Sequence, residues 1–134
     1  MKKLLFILLT LILSILPSCS KYGDIGGTKI YYVIERYYNT DIPEWLPPRE
    51  GNPNVLVSMT MPEGNKSEGL ITVPHTTFER EYKSGMLLTI RAESVLSYTT
   101  ITVKIFRDGK LWKENTATST QYGVYAVAEV SGDI

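Results

Sequence analysis

Apolar and polar residues follow two different patterns along this chain. From Leu4 to Leu16 the apolar residues run together, interrupted only by Thr10 and Ser14. From Thr28 onward they alternate with polar residues in short segments bounded by Gly, Pro, Asn and Asp. Alternation with a period of two places one face of an extended segment toward a core, and it predicts strands. No segment of helical length carries a 3.6-residue period with caps at its ends.

The first predicted strand is Lys29 to Tyr38. Ile30, Tyr32 and Ile34 share one face, and Tyr31, Val33 and Glu35 share the other. Both faces are partly apolar, so the pattern leaves the inward one open. Asn39 to Pro53 carries prolines at 43, 47, 48 and 53, which remove backbone donors and predict a loop. A second strand, Asn54 to Met61, puts Val55, Val57, Met59 and Met61 on one side, and Pro62-Glu63-Gly64-Asn65 turns it. Short strands follow at Gly69 to Val73, Thr76 to Tyr82 and Met86 to Ala92, with Lys83-Ser84-Gly85 as a turn.

The clearest unit spans Tyr98 to Glu114. Ile101, Val103 and Ile105 alternate with Thr100, Thr102 and Lys104, and Asp108-Gly109 favours a two-residue type I′ hairpin turn. Such a turn pairs Arg107 with Lys110, Phe106 with Leu111 and Ile105 with Trp112. Paired residues share a face, so Trp112 is expected beside Ile101, Val103 and Ile105 in the core. The last strand is expected at Gly123 to Val130, with Val124, Ala126, Ala128 and Val130 inward. About seven short strands with frequent turns predict an all-β, antiparallel β-sandwich over residues 28–134.

The N-terminal run changes the picture from a plain sandwich to an exported one. Lys2 and Lys3 precede the apolar stretch, the layout of a secretory signal, and the stretch is short of the roughly 20 residues a membrane span needs. Leu16-Pro17-Ser18-Cys19 resembles a bacterial lipobox: an aliphatic residue, a free position, a small residue and a cysteine. Residues 1–18 are therefore expected to be a lipoprotein signal peptide. Cys19 is expected to carry the lipid, its sulfur being a strong nucleophile when deprotonated. Ser20 after the cysteine resembles the outer-membrane sorting default. Residues 19–27, with Gly23, Gly26 and Gly27, read as a lipidated flexible tether. The expected location is the cell envelope, lipid-anchored, at the outer membrane.

Composition narrows the chemistry. Cys19 is the only cysteine, so its acylation leaves no disulfide for the fold. One histidine and no free cysteine give a zinc cluster no ligand set, and no cofactor or metal is expected. The 14 basic residues lose Lys2 and Lys3 with the signal while the 14 acidic residues lose none, which leaves a net charge of −2. That balance does not suit nucleic acid, which calls for a clustered basic surface.

The segment Thr100 to Val130 resembles the C-terminal half of the MmpS family of mycobacterial membrane proteins. The shared features are an alternating strand, the Asp108-Gly109-Lys110 hairpin, a Thr/Ala-rich stretch and a closing strand after a Gly/Tyr element. Ile30-Tyr31-Tyr32-Val33-Ile34 is similar to that family's opening strand, and Val73-Pro74 to its Pro-Trp element. The resemblance implies an immunoglobulin-like sandwich and a role as accessory subunit to an exporting pump. Three features depart from the family: the expected anchor is a lipid and not a helix, His75 stands where the family tends to have Trp, and apolar residues such as Val103 and one of Ala126 or Ala128 stand in the places of the family's cysteine pair.

Few residues suggest catalysis. His75 is the single histidine and follows Pro74 among ordinary strand residues. Glu79 and Glu81 lie two apart on one strand face, the spacing of a solvent face more often than of a glycosidase pair. Trp45, in Asp41-Ile42-Pro43-Glu44-Trp45-Leu46-Pro47-Pro48, is a candidate partner contact on a stiff loop, as are Tyr31 and Tyr37 on the first strand. The expected function is a non-enzymatic envelope lipoprotein, an interaction module accessory to a membrane transporter or envelope complex. The alternative is a ligand- or glycan-binding surface lipoprotein.

Overall fold

The computed structural model describes residues 27–73 and 76–134. The signal segment 1–18, Cys19, the tether up to residue 26, and His75 lie outside the described residues. Among the described residues there are eight strands and no helix: β1 Thr28–Tyr38, β2 Val55–Thr60, β3 Lys66–Ile71, β4 Thr76–Tyr82, β5 Leu87–Ser94, β6 Thr99–Arg107, β7 Lys110–Thr118 and β8 Val127–Asp133. They form two antiparallel four-stranded sheets, ordered β4-β1-β6-β7 and β3-β2-β5-β8.

One core lies between the sheets. It is built from alternate residues, among them Ile30, Tyr32 and Ile34 of β1, Val55, Val57 and Met59 of β2, Leu88, Ile90 and Ala92 of β5, and Ile101, Val103 and Ile105 of β6. Ala126, Ala128 and Val130 close it from the chain's last segment. The two-sided pattern of β1 is resolved by this packing: Ile30, Tyr32, Ile34 and Arg36 face inward, while Tyr31 and Tyr37 are exposed.

The strand order carries an immunoglobulin-like arrangement with one departure. The run β3-β2-β5-β8 has the C′-C-F-G neighbour order, and β4-β1 has the E-B pairing. The hairpin β6-β7 is inserted between the last two strands of that pattern. It packs beside β1, where strand A of an immunoglobulin domain lies.

The expected antiparallel β-sandwich of about seven short strands is present, and four details refine it. First, the strands number eight among the described residues. Second, β3 begins at Lys66 and not at Gly69, because the turn closed by Met61 N to Asn65 O at 2.8 Å sets Thr60 opposite Lys66. Third, β8 runs from Val127 to Asp133, not from Gly123 to Val130. The residues before it form a compact loop in which Ser119 Oγ donates to Val124 O and Gly123 adopts a φ of +75°, so Val124 is exposed. Fourth, the hairpin register shifts between Ile105 and Phe106, which pairs Ile105 with Lys113 rather than Trp112.

That shift is a β-bulge, with Trp112 as the extra residue. The turn itself is as expected, with positive φ at Asp108 (50°) and Gly109 (79°). Beyond the bulge, β7 turns polar side chains toward β8. Lys113 Nζ donates to Ser131 O at 2.6 Å and Asn115 Nδ2 to Glu129 O at 3.0 Å, so carbonyls of β8 gain donors from β7. Trp112 is half-buried against the rim of the core and not within it, with its ring over Gly132.

Candidate functional site

The strands run between two distinct ends. One end holds Gly27, the turns around Gly64, Gly85 and Gly109, and the C-terminal Ile134. The other gathers the loop 39–54, residues 95–98 and the loop 119–126. Backbone bonds from Asn39 N to Tyr98 O (2.9 Å) and Val95 N to Asn54 O (3.2 Å) join the first two, and Tyr98 N donates to Ser119 Oγ at 3.2 Å to join the third.

Side chains then fix the loops in place. Asn39 Nδ2 donates to Ser119 O at 2.8 Å, and Thr100 Oγ1 donates to Asn39 Oδ1 at 2.8 Å. Arg49 Nη1 donates to Ser97 O at 2.6 Å while its guanidinium lies 5.5 Å from the centre of the Tyr38 ring, a cation–π contact. Arg36 holds the far end of the long loop. Its Nε donates to Pro53 O at 2.6 Å, Nη1 to Thr76 Oγ1 at 2.6 Å, and Nη2 to Val73 O. Burial pushes the Arg36 guanidinium below its ordinary value, and among the described residues no carboxylate pairs with it.

On this framework Trp45 meets Tyr122 edge to face, with ring centres 5.3 Å apart and planes at 68°. Both remain well exposed, at 64% and 68%. Leu46 N bonds Pro43 O at 2.9 Å, closing the turn that presents Trp45. Tyr37, Val124 and Tyr125 add exposed apolar surface at the same end. At the same end Tyr38, Asn39, Thr40, Ile42, Pro48 and Arg49 line a depression of about 240 Å³. Tyr122 is the residue that sequence reading missed. Its partner is remote in the chain, and no local pattern marks the pairing.

The three aromatic candidates are thus divided. Trp45 and Tyr37 belong to the loop end, whereas Tyr31 lies six residues earlier on β1, roughly 20 Å away at strand rise. Tyr31 instead lines an open depression of about 490 Å³ near the other end, with Lys29, Val33, Glu79 and Phe106.

Among the described residues the carboxylate candidates and the buried phenols take structural positions. Glu79 and Glu81 are exposed on the outer face of β4, and Glu81 Oε1 accepts a bond from Gly27 N at 2.9 Å. Inside, Tyr32 OH donates to Tyr82 OH at 3.1 Å and Tyr82 OH to Thr60 O at 2.6 Å. Burial, chiefly, pushes both phenols up from their ordinary value, so this pair is a neutral core network and not a proton donor at ordinary pH. Among the described residues every buried side-chain nitrogen or oxygen has a partner. The chain matches no protein-family model, and comparison with curated proteins finds no match.

Proposed function

We propose that this protein is a non-enzymatic, lipid-anchored interaction module of the bacterial envelope, accessory to a membrane transporter or another envelope complex. The carrying observation is polarity of the domain. The chain leads back toward Cys19 from one end of the sandwich, while Trp45 and Tyr122 are exposed on pinned loops at the other. Acylation of Cys19 at the outer membrane leaves those loops directed away from the bilayer. Aromatic side chains on a pre-ordered loop bind a partner with little ordering cost. The resemblance to the MmpS family agrees with a transport-accessory role.

A photocrosslinker at Trp45, used in cells before gentle detergent extraction, tests this. A discrete crosslinked product with an envelope protein is expected, lost when the crosslinker is moved to Glu68 on β3. A solitary monomer from both positions overturns the proposal.

The depression in the same loop as Trp45, lined by Asn39, Thr40 and Arg49, supports a second reading as a glycan-binding surface lipoprotein. A glycan array comparing the intact protein with Trp45→Ala separates the two. Binding that disappears in the variant favours the glycan, and no binding by the intact protein removes this reading.

A further inference from the structure

The outer face of the sheet β4-β1-β6-β7 changes character along its length. Near Gly27, Tyr31, Phe106 and Leu111 stand in one cross-strand row, with Val33 in the next. Tyr31, Val33 and Phe106 line the open depression of about 490 Å³. Toward the loop end the rows turn largely polar, with Tyr37 opposite Thr100 as the exposed aromatic among them. Lys104 Nζ contacts Glu35 Oε2 at 2.8 Å, Thr102 Oγ1 lies 2.8 Å from Thr116 Oγ1, and Thr100 Oγ1 lies 3.0 Å from Thr118 Oγ1.

We propose that the apolar half of this face rests on the lipid bilayer. The inference depends on the reading of Cys19 as acylated, and the length of the connecting chain argues for it. Gly27 is eight residues beyond Cys19. At about 3.5 Å per residue those steps span at most about 28 Å. The depression begins at Lys29 and Ile30, two and three residues further on, so the apolar rows lie in the half of this face nearer the anchor, just past the Lys29–Glu81 row. Tyrosine with neighbouring aliphatic residues suits the interfacial zone, where a ring has one apolar side and one wet end.

Charge does not drive the contact. Lys29 stands across from Glu81, Glu79 rims the depression, and Lys104 is neutralised by Glu35. The docking is therefore apolar and insensitive to salt. The polar threonine rows stay in water, which tilts the sandwich and keeps the Trp45 loops raised.

The acylated protein offers no free thiol, so single labels report cleanly. An environment-sensitive fluorophore on Leu111→Cys, Leu70→Cys or Tyr122→Cys is read in the full lipoprotein in phosphatidylethanolamine–phosphatidylglycerol vesicles. The expected result is a blue shift and quenching by lipid-borne quencher at position 111 alone, with several-fold protection from aqueous quencher at low and high salt. Adding Tyr31→Ser and Phe106→Ser should return the 111 label to water while far-ultraviolet circular dichroism stays unchanged. A 111 label as aqueous as the other two overturns the proposal. Protection that follows protein density and not lipid contact also overturns it, and assigns the face to a second copy of the chain. The mass of the N-terminal peptide separates the two layers: an unmodified Cys19 removes anchor and docking together, whereas an acylated Cys19 with an aqueous 111 label removes the docking alone.

Discussion

Arg36 Nη1 donates to Thr76 Oγ1 at 2.6 Å from a side chain only 5% exposed. The same guanidinium serves the carbonyls of Pro53 and Val73, so one β1 residue ties the start of β4 to the segments leading out of β3 and into β2. Removing it leaves the buried Pro53 carbonyl and Thr76 hydroxyl without this donor, at about 1–3 kcal/mol each. Arg36→Ala should lower stability by roughly 2–4 kcal/mol on that basis. Arg36→Met restores volume but no donors, and should recover only part of the loss. Urea unfolding of the three proteins measures both effects.

The Tyr32–Tyr82 pair makes stability fall in alkali. Both phenols hold their protons to higher pH when folded, because burial disfavours the phenolate, while unfolded tyrosine titrates near 10. Above about pH 10 the unfolded chain releases protons that the folded chain retains, so stability declines as pH rises. Their contribution is fully present below that pH. Tyr32→Phe should flatten the decline between pH 10 and 11.5 relative to wild type, as read by denaturant midpoints.

Gly132 exists to clear Trp112. A Cβ at position 132 would stand 2.6 Å from Trp112 Cη2 and 2.8 Å from Lys113 Cε. The lysine end can swing away, but the indole is held between β7 and the rim of the core. Gly132→Ala should destabilise by about 1–3 kcal/mol, the usual range for overpacking. It should also shift the Trp112 emission in a Trp45→Phe background.

Trp45 and Tyr122 should separate binding from folding. Their edge-to-face contact is largely exposed, so a double-mutant cycle should return about 0.5 kcal/mol of coupling or less, the low end for aromatic pairs. If the loop end carries the partner, Trp45→Ala should weaken capture by about 30-fold, the loss of roughly 2 kcal/mol typical of an aromatic anchor. Quantitative pull-down with unchanged unfolding midpoints checks the pair of outcomes.

The strand pattern was legible where alternation was strict. The core face of β6, the positive-φ turn at Asp108-Gly109 and the inward Val55, Val57 and Met59 of β2 follow from a period of two and from turn chemistry alone. Where both faces were apolar, as in β1, only packing against the second sheet chose Ile30, Tyr32 and Ile34. The Trp112 register was unreadable because a bulge inserts one residue without any required sequence mark.

The binding surfaces show the same division. Trp45 stood out as an aromatic on a proline-rich loop, yet Tyr31 and Tyr37 read alike in sequence and end up near opposite ends of one strand. Nothing local in the sequence marks Arg36 for burial. Its burial depends on acceptors at Pro53, Val73 and Thr76 that converge only when the connections between sheets close around it.

By itself, then, the sequence determined the β-sandwich class, the hairpin turn and the expectation of a lipid at Cys19, because period, turn residues and processing motifs are local properties. Tertiary structure decided the strand order, the bulge at Trp112, the pairing of Trp45 with Tyr122 and the separation of an apolar face from the loop end. Those depend on residues remote in the chain meeting at fixed distances, and only the packing of two sheets over one core sets such distances.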